Sequence, residues 1–113
     1  MNIIIEAPFL IGDKDKMLIE SKINYLKRYE SRIIKVSAFF KTEIGSKPND
    51  VLCGIRLEVP GYDLFAEQTD SNAMRAFSAS YNSIKRQAKQ RRRKLNDQWS
   101  PVREISEIVY NTY

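Results

Sequence analysis

Apolar and polar residues alternate along two long stretches of the chain, with the period of two that is typical of β-strands. The alternation is cleanest in 51–59, where the residues predicted to face inward are Val51, Cys53, Ile55, Leu57 and Val59. In 32–42 the predicted inward residues are Ile34, Val36, Ala38 and Phe40. Segment 62–68 should pair with 51–59 as a hairpin, because Pro60-Gly61 between them favours a tight turn. A β-branched run in 2–7, ended by Pro8, predicts a first strand, and 45–50 has the composition of a turn.

Two other stretches have apolar residues at intervals of three and four, which predicts helices. The first begins after Gly12, with Asp13 as its expected N-cap, and ends near Tyr29. Its inner stripe is Ile19, Ile23 and Leu26. The second covers 71–95 and is expected to be capped by Asp70 or Ser71. Its stripe is Phe77, Tyr81, Ile84, Ala88 and Leu95.

The predicted element order is therefore strand, helix, strand, strand, strand, helix. One four-stranded sheet with both helices on one face lets every element bury its apolar side. This is an α+β fold, β-α-β-β-β-α, similar in element order to double-stranded-RNA-binding domains. A chain of 113 residues with 42% hydrophobic content suffices for one core. We expect a domain in 1–95 and a C-terminal tail in 96–113 that is disordered or binds a partner.

The long predicted helix has a polar row nearly opposite its apolar stripe. The row contains Arg75, Asn82, Arg86, Lys89 and Arg93, and Lys85 falls between row and stripe. From 85 to 94 there are seven basic residues and no acidic one, in a chain of net charge +5. Like-charge repulsion within such a run costs a few tenths of a kcal/mol for each spaced pair, which an inert helix face would avoid. The pattern favours binding to nucleic-acid phosphates.

Composition excludes several kinds of chemistry. Histidine, the commonest acid/base catalyst and metal ligand, is absent. The single cysteine, Cys53, has an inward strand position and is expected to be a core residue. Asp63 and Glu67 point outward from one strand with no sign of a pocket. We therefore expect no enzyme activity, metal, cofactor or small-molecule substrate. The cysteine content suits the cytoplasm, and no apolar run approaches a membrane span, so we expect no membrane partner.

Three groups of residues in 1–95 match positions of a known protein family. In the first helix and second strand they are Ile11, Lys22, Leu26, Tyr29, Arg32, Ile33 and Val36; in the hairpin they are Leu57, Val59, Gly61, Leu64 and Ala66. In the long helix they are Ala76, Phe77, Ile84, Arg86, Gln87, Arg92, Lys94 and Leu95. In their joint spacing and element order, these residues resemble the ribosome hibernation-promoting factor and ribosome-associated inhibitor family.

The resemblance implies a translation inhibitor of starved or stationary-phase bacteria. Such a factor binds ribosomal RNA in the decoding region of the small ribosomal subunit and blocks messenger and transfer RNA. The family is commonly basic at the positions of Lys22, Arg86 and Arg92. With the other cations of the long helix, the predicted RNA-binding set is Lys22, Arg75, Lys85, Arg86, Lys89, Arg91, Arg92, Arg93 and Lys94.

The chain also departs from the family pattern. Tyr25, Ser83 and Gln90 stand where relatives often have a basic residue, so we expect neighbouring cations to supply the charge. The long form of the family adds a C-terminal dimerising domain. We expect a short form with no dedicated dimerisation domain.

Two other functions fit the sequence. One is a general double-stranded RNA-binding module, which reads minor grooves and the phosphates between them. The other is a protein-interaction module that uses the open sheet face and the tail, where Trp99, Ile105, Ile108 and Val109 could dock. Phe39 and Phe65 face outward on strands, and packing on the sheet explains them more simply than base stacking. We expect recognition by shape and charge, with bases in a minor role.

Overall fold

The structure, a computed structural model, describes residues 1–42 and 49–98, and within 92–98 it describes the backbone alone. The predicted element order is confirmed. The elements are β1 (Asn2–Glu6), α1 (Asp13–Tyr25), a 3-10 turn (Leu26–Arg28), β2 (Lys35–Lys41), β3 (Val51–Val59), β4 (Tyr62–Asp70) and α2 (Ala73–Gln98). Helix α2 thus continues past Leu95, its predicted end. Most of the predicted turn in 45–50 and the tail from Trp99 onward lie outside the described residues.

The four strands form one mixed sheet in the order β1-β2-β3-β4. Strand β1 is parallel to β2, with α1 in the crossover between them, and the other two pairs are antiparallel. The β3–β4 hairpin turns at Pro60-Gly61, where Gly61 has a φ of 89° that glycine adopts without strain. Val59 consequently pairs with Tyr62, as the sequence predicted.

Both helices cover the same face of the sheet, and the core lies between them and the strands. The strand residues Val36, Ala38, Phe40, Cys53, Ile55, Leu57 and Val59 are all buried there. Against them pack Ile19, Ile23 and Leu26 from α1 and the 3-10 turn, and Phe77, Tyr81 and Ile84 from α2. The apolar stripes predicted for both helices are confirmed for every described side chain. The opposite face of the sheet has no helix on it within the described part of the chain.

Two polar contacts fix α2 on the sheet. The Ser80 hydroxyl, fully buried, donates a hydrogen bond of 2.6 Å to the backbone carbonyl of Cys53 in β3. The Gln87 amide donates to the backbone carbonyl of Phe65 in β4 at 3.0 Å, which occupies a main-chain acceptor of an edge strand. These contacts set the rotation of α2 about its axis and hence the direction in which its cations point.

The prediction that Ile34 faces inward was wrong. Its side chain is 56% exposed, and the neighbouring Ile33, at 7%, is buried instead. The reason is that β2 begins only at Lys35, so the alternation of the strand does not extend back to Ile34.

The expected helix caps were also wrong. Asp13 is the first residue of α1, and Gly12 before it is the N-cap and forms no side-chain cap. In α2 the cap is Asn72, whose side-chain oxygen accepts hydrogen bonds from the backbone N–H groups of Met74 (2.9 Å) and Arg75 (3.1 Å). Asp70 instead accepts from the N–H of Ser71 at 2.7 Å.

Candidate nucleic-acid interface

Helix α2 has the two faces that the sequence predicted. Phe77, Tyr81, Ile84 and Ala88 are at most 4% exposed, because they pack on the sheet and on α1. On the other side Arg75, Asn82, Arg86 and Lys89 are exposed to solvent. Of the predicted RNA-binding residues, Arg92, Arg93 and Lys94 belong to α2, but their side chains lie outside the described residues.

The described cations of α2 differ in how far the protein itself neutralises them. The Arg75 guanidinium lies 3.3 Å from the carboxylate of Asp70, so this arginine already has an acidic partner. Among the described residues, Arg86 has no salt bridge. We therefore rank Arg86 above Arg75 as a predicted phosphate contact.

Four other cations of the predicted RNA-binding set lie over tyrosine rings. The ammonium groups of Lys22 in α1 and Lys85 in α2 are 5.3 Å and 5.7 Å from the same ring centre, that of Tyr81. Lys89 lies 5.4 Å from the ring of Tyr29. The fourth, Arg91, lies over Tyr62 at 4.2 Å. Each such contact contributes about 0.5–1 kcal/mol at an exposed site, which orients the cation without an acidic partner.

Lys22 and Lys85 stand on opposite sides of a cleft between α1 and α2. The cleft has a volume of about 270 Å³ and is lined by Ser21, Lys22, Tyr25, Tyr81 and Lys85. Burial, with smaller contributions from Tyr29 and Tyr25, raises the pKa of Tyr81. Burial and the neighbouring Tyr25 likewise raise the pKa of Tyr29. Tyr81 therefore stays neutral at physiological pH, and Lys22 and Lys85 are the charged side chains that line the cleft.

Arg91 belongs to a different network, on the side of α2 that faces β4. The Tyr62 ring beneath it donates its hydroxyl to Glu30 at 2.8 Å, and Glu30 also accepts from the Arg32 guanidinium at 3.0 Å. The hydrogen bond from Arg32, aided by that from Tyr62, lowers the pKa of Glu30 to about 2. Arg91 thus lies over Tyr62, whose hydroxyl is bonded to the ion-paired Glu30, and away from the row that contains Arg86.

Sequence reasoning did not identify the tyrosines as neighbours of the predicted RNA-binding cations. Phe39, Phe65 and Tyr62, the aromatic residues considered for base stacking, lie on strands. Of these, Tyr62 has a cation of α2 over its ring, and Tyr25, Tyr29 and Tyr81 also stand next to cations. A usable indication was present in α1, where Tyr25 follows Lys22 by three residues and precedes Arg28 by three. Nothing in the sequence indicates that Tyr81, from a distant helix, closes the same cleft.

The open sheet face carries a pair of aromatic rings, as the alternation predicted. Phe39 and Phe65 stack with ring centres 6.2 Å apart and planes 19° from parallel. Lys41 and Arg56 lie over these rings, and Arg56 also pairs with Asp63 at 3.4 Å. Charges of both signs are therefore present here, unlike on the outer side of α2, which agrees with packing on the sheet.

The residues considered for catalysis, Cys53, Asp63 and Glu67, do not form a catalytic site among the described residues. Cys53 is fully buried, and burial raises the pKa of its thiol to about 12, so it is a core residue and no nucleophile. Asp63 and Glu67 are exposed on β4. Within the described part of the chain, no cluster of side chains could hold a metal ion, and no helix has both the length and the hydropathy of a membrane span.

Comparison with solved structures finds the same fold in other proteins. The N-terminal domain of Protein Y from Thermus thermophilus superposes with a TM-score of 0.66 at 20% sequence identity, over 80% of this chain and 98% of that one. A ribosomal subunit interface protein from Coxiella burnetii superposes with a TM-score of 0.61 at 13% identity, over 85% and 98%. At such identities the likeness shows the fold alone. No curated protein sequence matches the chain significantly.

The sequence itself matches a protein family over most of its length. The model of the family described as sigma 54 modulation protein / S30EA ribosomal protein matches residues 8–96, which include α1, most of α2 and three of the four strands. The resemblance drawn from residue spacing is thereby confirmed, and the chain belongs to the sigma 54 modulation protein / S30EA ribosomal protein family.

Proposed function

We propose that the protein is a ribosome-associated translation inhibitor that binds RNA of the small ribosomal subunit. It occupies the decoding region under starvation or in stationary phase and excludes messenger and transfer RNA. The observation that supports this most is the two-faced α2: its apolar stripe is buried on the sheet while Arg86 and Lys89 face solvent without acidic partners among the described residues. The mode of action is stoichiometric occupancy, with no chemical turnover.

The physical basis of binding is neutralisation of phosphates. Each lysine or arginine that pairs with a phosphate releases condensed counterions, so affinity falls steeply with salt. Arginine can also bind two phosphate oxygens at once through its planar guanidinium. A rigid helix that presents several cations along one side suits the regularly spaced phosphates of folded RNA.

The relatives support the ribosome as the partner. The family description includes a ribosomal protein, and the Coxiella burnetii protein of the same fold is named for the ribosomal subunit interface. A protein bound at that interface is well situated to block the path of messenger and transfer RNA.

Charge reversal tests the proposal. We expect the double variant Arg86→Glu, Lys89→Glu to reduce co-sedimentation with small ribosomal subunits by tenfold or more, because two phosphate contacts become repulsive. The matched control is Lys14→Glu, Lys16→Glu, which makes the same change in net charge at exposed positions of the first turn of α1. Equal sedimentation of the two variants would contradict the proposal.

Competition separates this function from general duplex binding. A plain RNA duplex should displace the protein from small subunits only at a large molar excess of helical sites. Equal affinity for duplex and subunit would favour a general double-stranded RNA-binding module instead. Binding that survives both nuclease and high salt would favour a protein-interaction module.

Occupation of the decoding region has its own test. Pre-bound protein should lower the binding of initiator transfer RNA to subunits in proportion to its occupancy, and the Arg86→Glu, Lys89→Glu variant should not. Undiminished binding of transfer RNA to saturated subunits would contradict this part of the proposal.

A further inference from the structure

The cleft between α1 and α2 has unpaired positive charge on both sides. The Lys22 and Lys85 ammonium groups approach one ring, Tyr81, and within the described chain neither has a salt bridge. Two like charges around one ring repel each other, and a phosphate held between them would relieve that repulsion. The hydroxyl of Ser21, on the same wall as Lys22, adds a neutral hydrogen-bond donor to the cleft.

The same cleft has an exposed aromatic surface. Tyr25 lines it and is 46% exposed, although burying a ring of this size would be favourable. The guanidinium of Arg28 lies 5.0 Å from the Tyr25 ring centre. Unpaired bases of RNA stack on such tyrosine rings and on arginine planes.

The size of the cleft limits what it can hold. Its volume of about 270 Å³ is at the lower edge of the range for ligand pockets, roughly 300–1,000 Å³. This volume suits one nucleotide better than a larger ligand. A base within a double helix is already stacked and cannot enter, so the nucleotide must be unpaired.

We infer that this cleft holds one unpaired nucleotide of the bound RNA, with its base stacked on Tyr25 and its phosphate between Lys22 and Lys85. The inference rests on the proposed function and adds base stacking to a surface otherwise expected to recognise shape and charge. The open sheet face does not offer the same combination, because Phe39 and Phe65 stack on each other and Arg56 there is paired with Asp63.

The test uses the full chain and two labelled probes of equal length, hexauridylate and an abasic ribose-phosphate hexamer. We expect the protein to bind hexauridylate roughly 5-fold to 100-fold more tightly than the abasic probe, as for one stacked base. Tyr25→Leu should remove that difference, and Tyr25→Phe, which keeps the ring, should retain it. Equal binding of the two probes to the unaltered protein would overturn the inference.

Replacing Lys22 and Lys85 with neutral residues tests whether they bind the phosphate. Lys22→Gln, Lys85→Gln should weaken binding of both probes and flatten its salt dependence, since the phosphate in the cleft no longer meets a cation on either side. The control Lys14→Gln, Lys16→Gln removes the same charge outside the cleft. It should change neither the affinity for the probes nor its salt dependence. If both double variants behave alike, the phosphate does not lie between Lys22 and Lys85.

Competitors distinguish a nucleotide of RNA from free ligands. Uridine monophosphate and inorganic phosphate should displace hexauridylate only at concentrations far above that of the unlabelled hexamer. Displacement by the mononucleotide at equal concentration would assign the cleft to a free nucleotide, and displacement by phosphate alone would show that no base is recognised. Either result overturns the inference.

Binding to small ribosomal subunits distinguishes a failure of this inference from a failure of the proposed function. If Tyr25→Leu binds subunits like the unaltered protein while Arg86→Glu, Lys89→Glu does not, the cleft inference fails and the ribosomal function stands. If the charge-reversed variant also binds normally, the proposed function fails. Thermal unfolding of Tyr25→Leu checks that the exposed substitution leaves the fold intact.

Discussion

At the scale of single residues, Glu30 is the carboxyl group among the described residues whose pKa is most clearly lowered by its partners. Its side chain is 10% exposed and accepts hydrogen bonds from Arg32 and Tyr62, which hold its pKa at about 2. A carboxylate whose pKa is lower in the folded than in the unfolded state stabilises the fold above the unfolded value, about 4.5, and loses that contribution as pH falls towards 2. Glu30 therefore links the hairpin to the segment after the 3-10 turn in a pH-dependent way.

We expect Glu30→Gln to lower the free energy of unfolding by about 1–2 kcal/mol at pH 7, because two hydrogen bonds to a charged group are weakened. Near pH 2 the difference from the unaltered protein should be much smaller, because Glu30 is by then protonated in the unfolded chain and partly protonated in the folded protein. Urea denaturation at both pH values measures the free energy of unfolding of the two proteins. Glu67→Gln, on the exposed face of β4, is the control and should change stability by less than about 0.5 kcal/mol. A loss of the same size at pH 7 and pH 2 would contradict the role of the charge.

Gly54 has a packing role on the open sheet face. A Cβ built on Gly54 would overlap the ring of Phe39, so the absence of a side chain lets that ring lie across β3 and stack on Phe65. We expect Gly54→Ala to cost about 1–2 kcal/mol by displacing the Phe39 ring. In the background of Phe39→Ala the same substitution should cost little. Additive effects in this double-mutant cycle would show that the two residues are not coupled.

At the scale of elements, the position and rotation of α2 determine where its cations lie. The helix begins at the Asn72 cap and is fixed on the sheet by Ser80 and Gln87. A different rotation of α2 would turn Lys85 and Lys89 away from α1 and remove one wall of the cleft. The arrangement of the cations therefore depends on how the helix packs as much as on its composition.

We expect Asn72→Ala to destabilise the protein by about 1 kcal/mol, because the backbone N–H groups of Met74 and Arg75 lose their acceptor. Ser71→Ala, one residue earlier, is the matched control and should cost much less, since the Ser71 side chain caps neither of those groups. Chemical denaturation of both variants gives the comparison. A larger loss for Ser71→Ala would identify Ser71 as the functional cap.

The elements themselves were largely predictable from the sequence. The alternation in 51–59 and the stripe from Phe77 to Ala88 each identify an element and its buried face, because period and burial are directly linked. The ends of the helices and strands were harder to predict. The alternation of β2 cannot indicate that the regular strand begins at Lys35, since Ile34 still forms backbone hydrogen bonds with Glu58 and Asn2. For α2, Asp70, Ser71 and Asn72 are all competent caps, so the choice depends on where the first helical turn closes.

The cleft could not be predicted for a different reason. Its walls come from α1 and α2, which are far apart in sequence, and only the packing of both helices on one sheet brings Tyr25 and Tyr81 together. Lys22 was identified through family resemblance. Tyr25 was noted as a departure from a basic family position, without any indication that its ring lines a cleft.

At the scale of the whole molecule, the domain has two unlike sides. The helical side has cations with few acidic partners among the described residues, and the open sheet side has stacked aromatics among charges of both signs. Association with ribosomal RNA through the first side would leave the second exposed to solvent or to neighbouring ribosomal components.

The most direct test of the central claim is the salt dependence of binding to small ribosomal subunits. The logarithm of the affinity should fall linearly with the logarithm of salt concentration. In Arg86→Gln, Lys89→Gln the slope should be smaller by about one unit for each phosphate that is no longer neutralised. In Lys14→Gln, Lys16→Gln the slope should equal that of the unaltered protein. An unchanged slope in the α2 variant would show that this face of the helix does not contact ribosomal RNA.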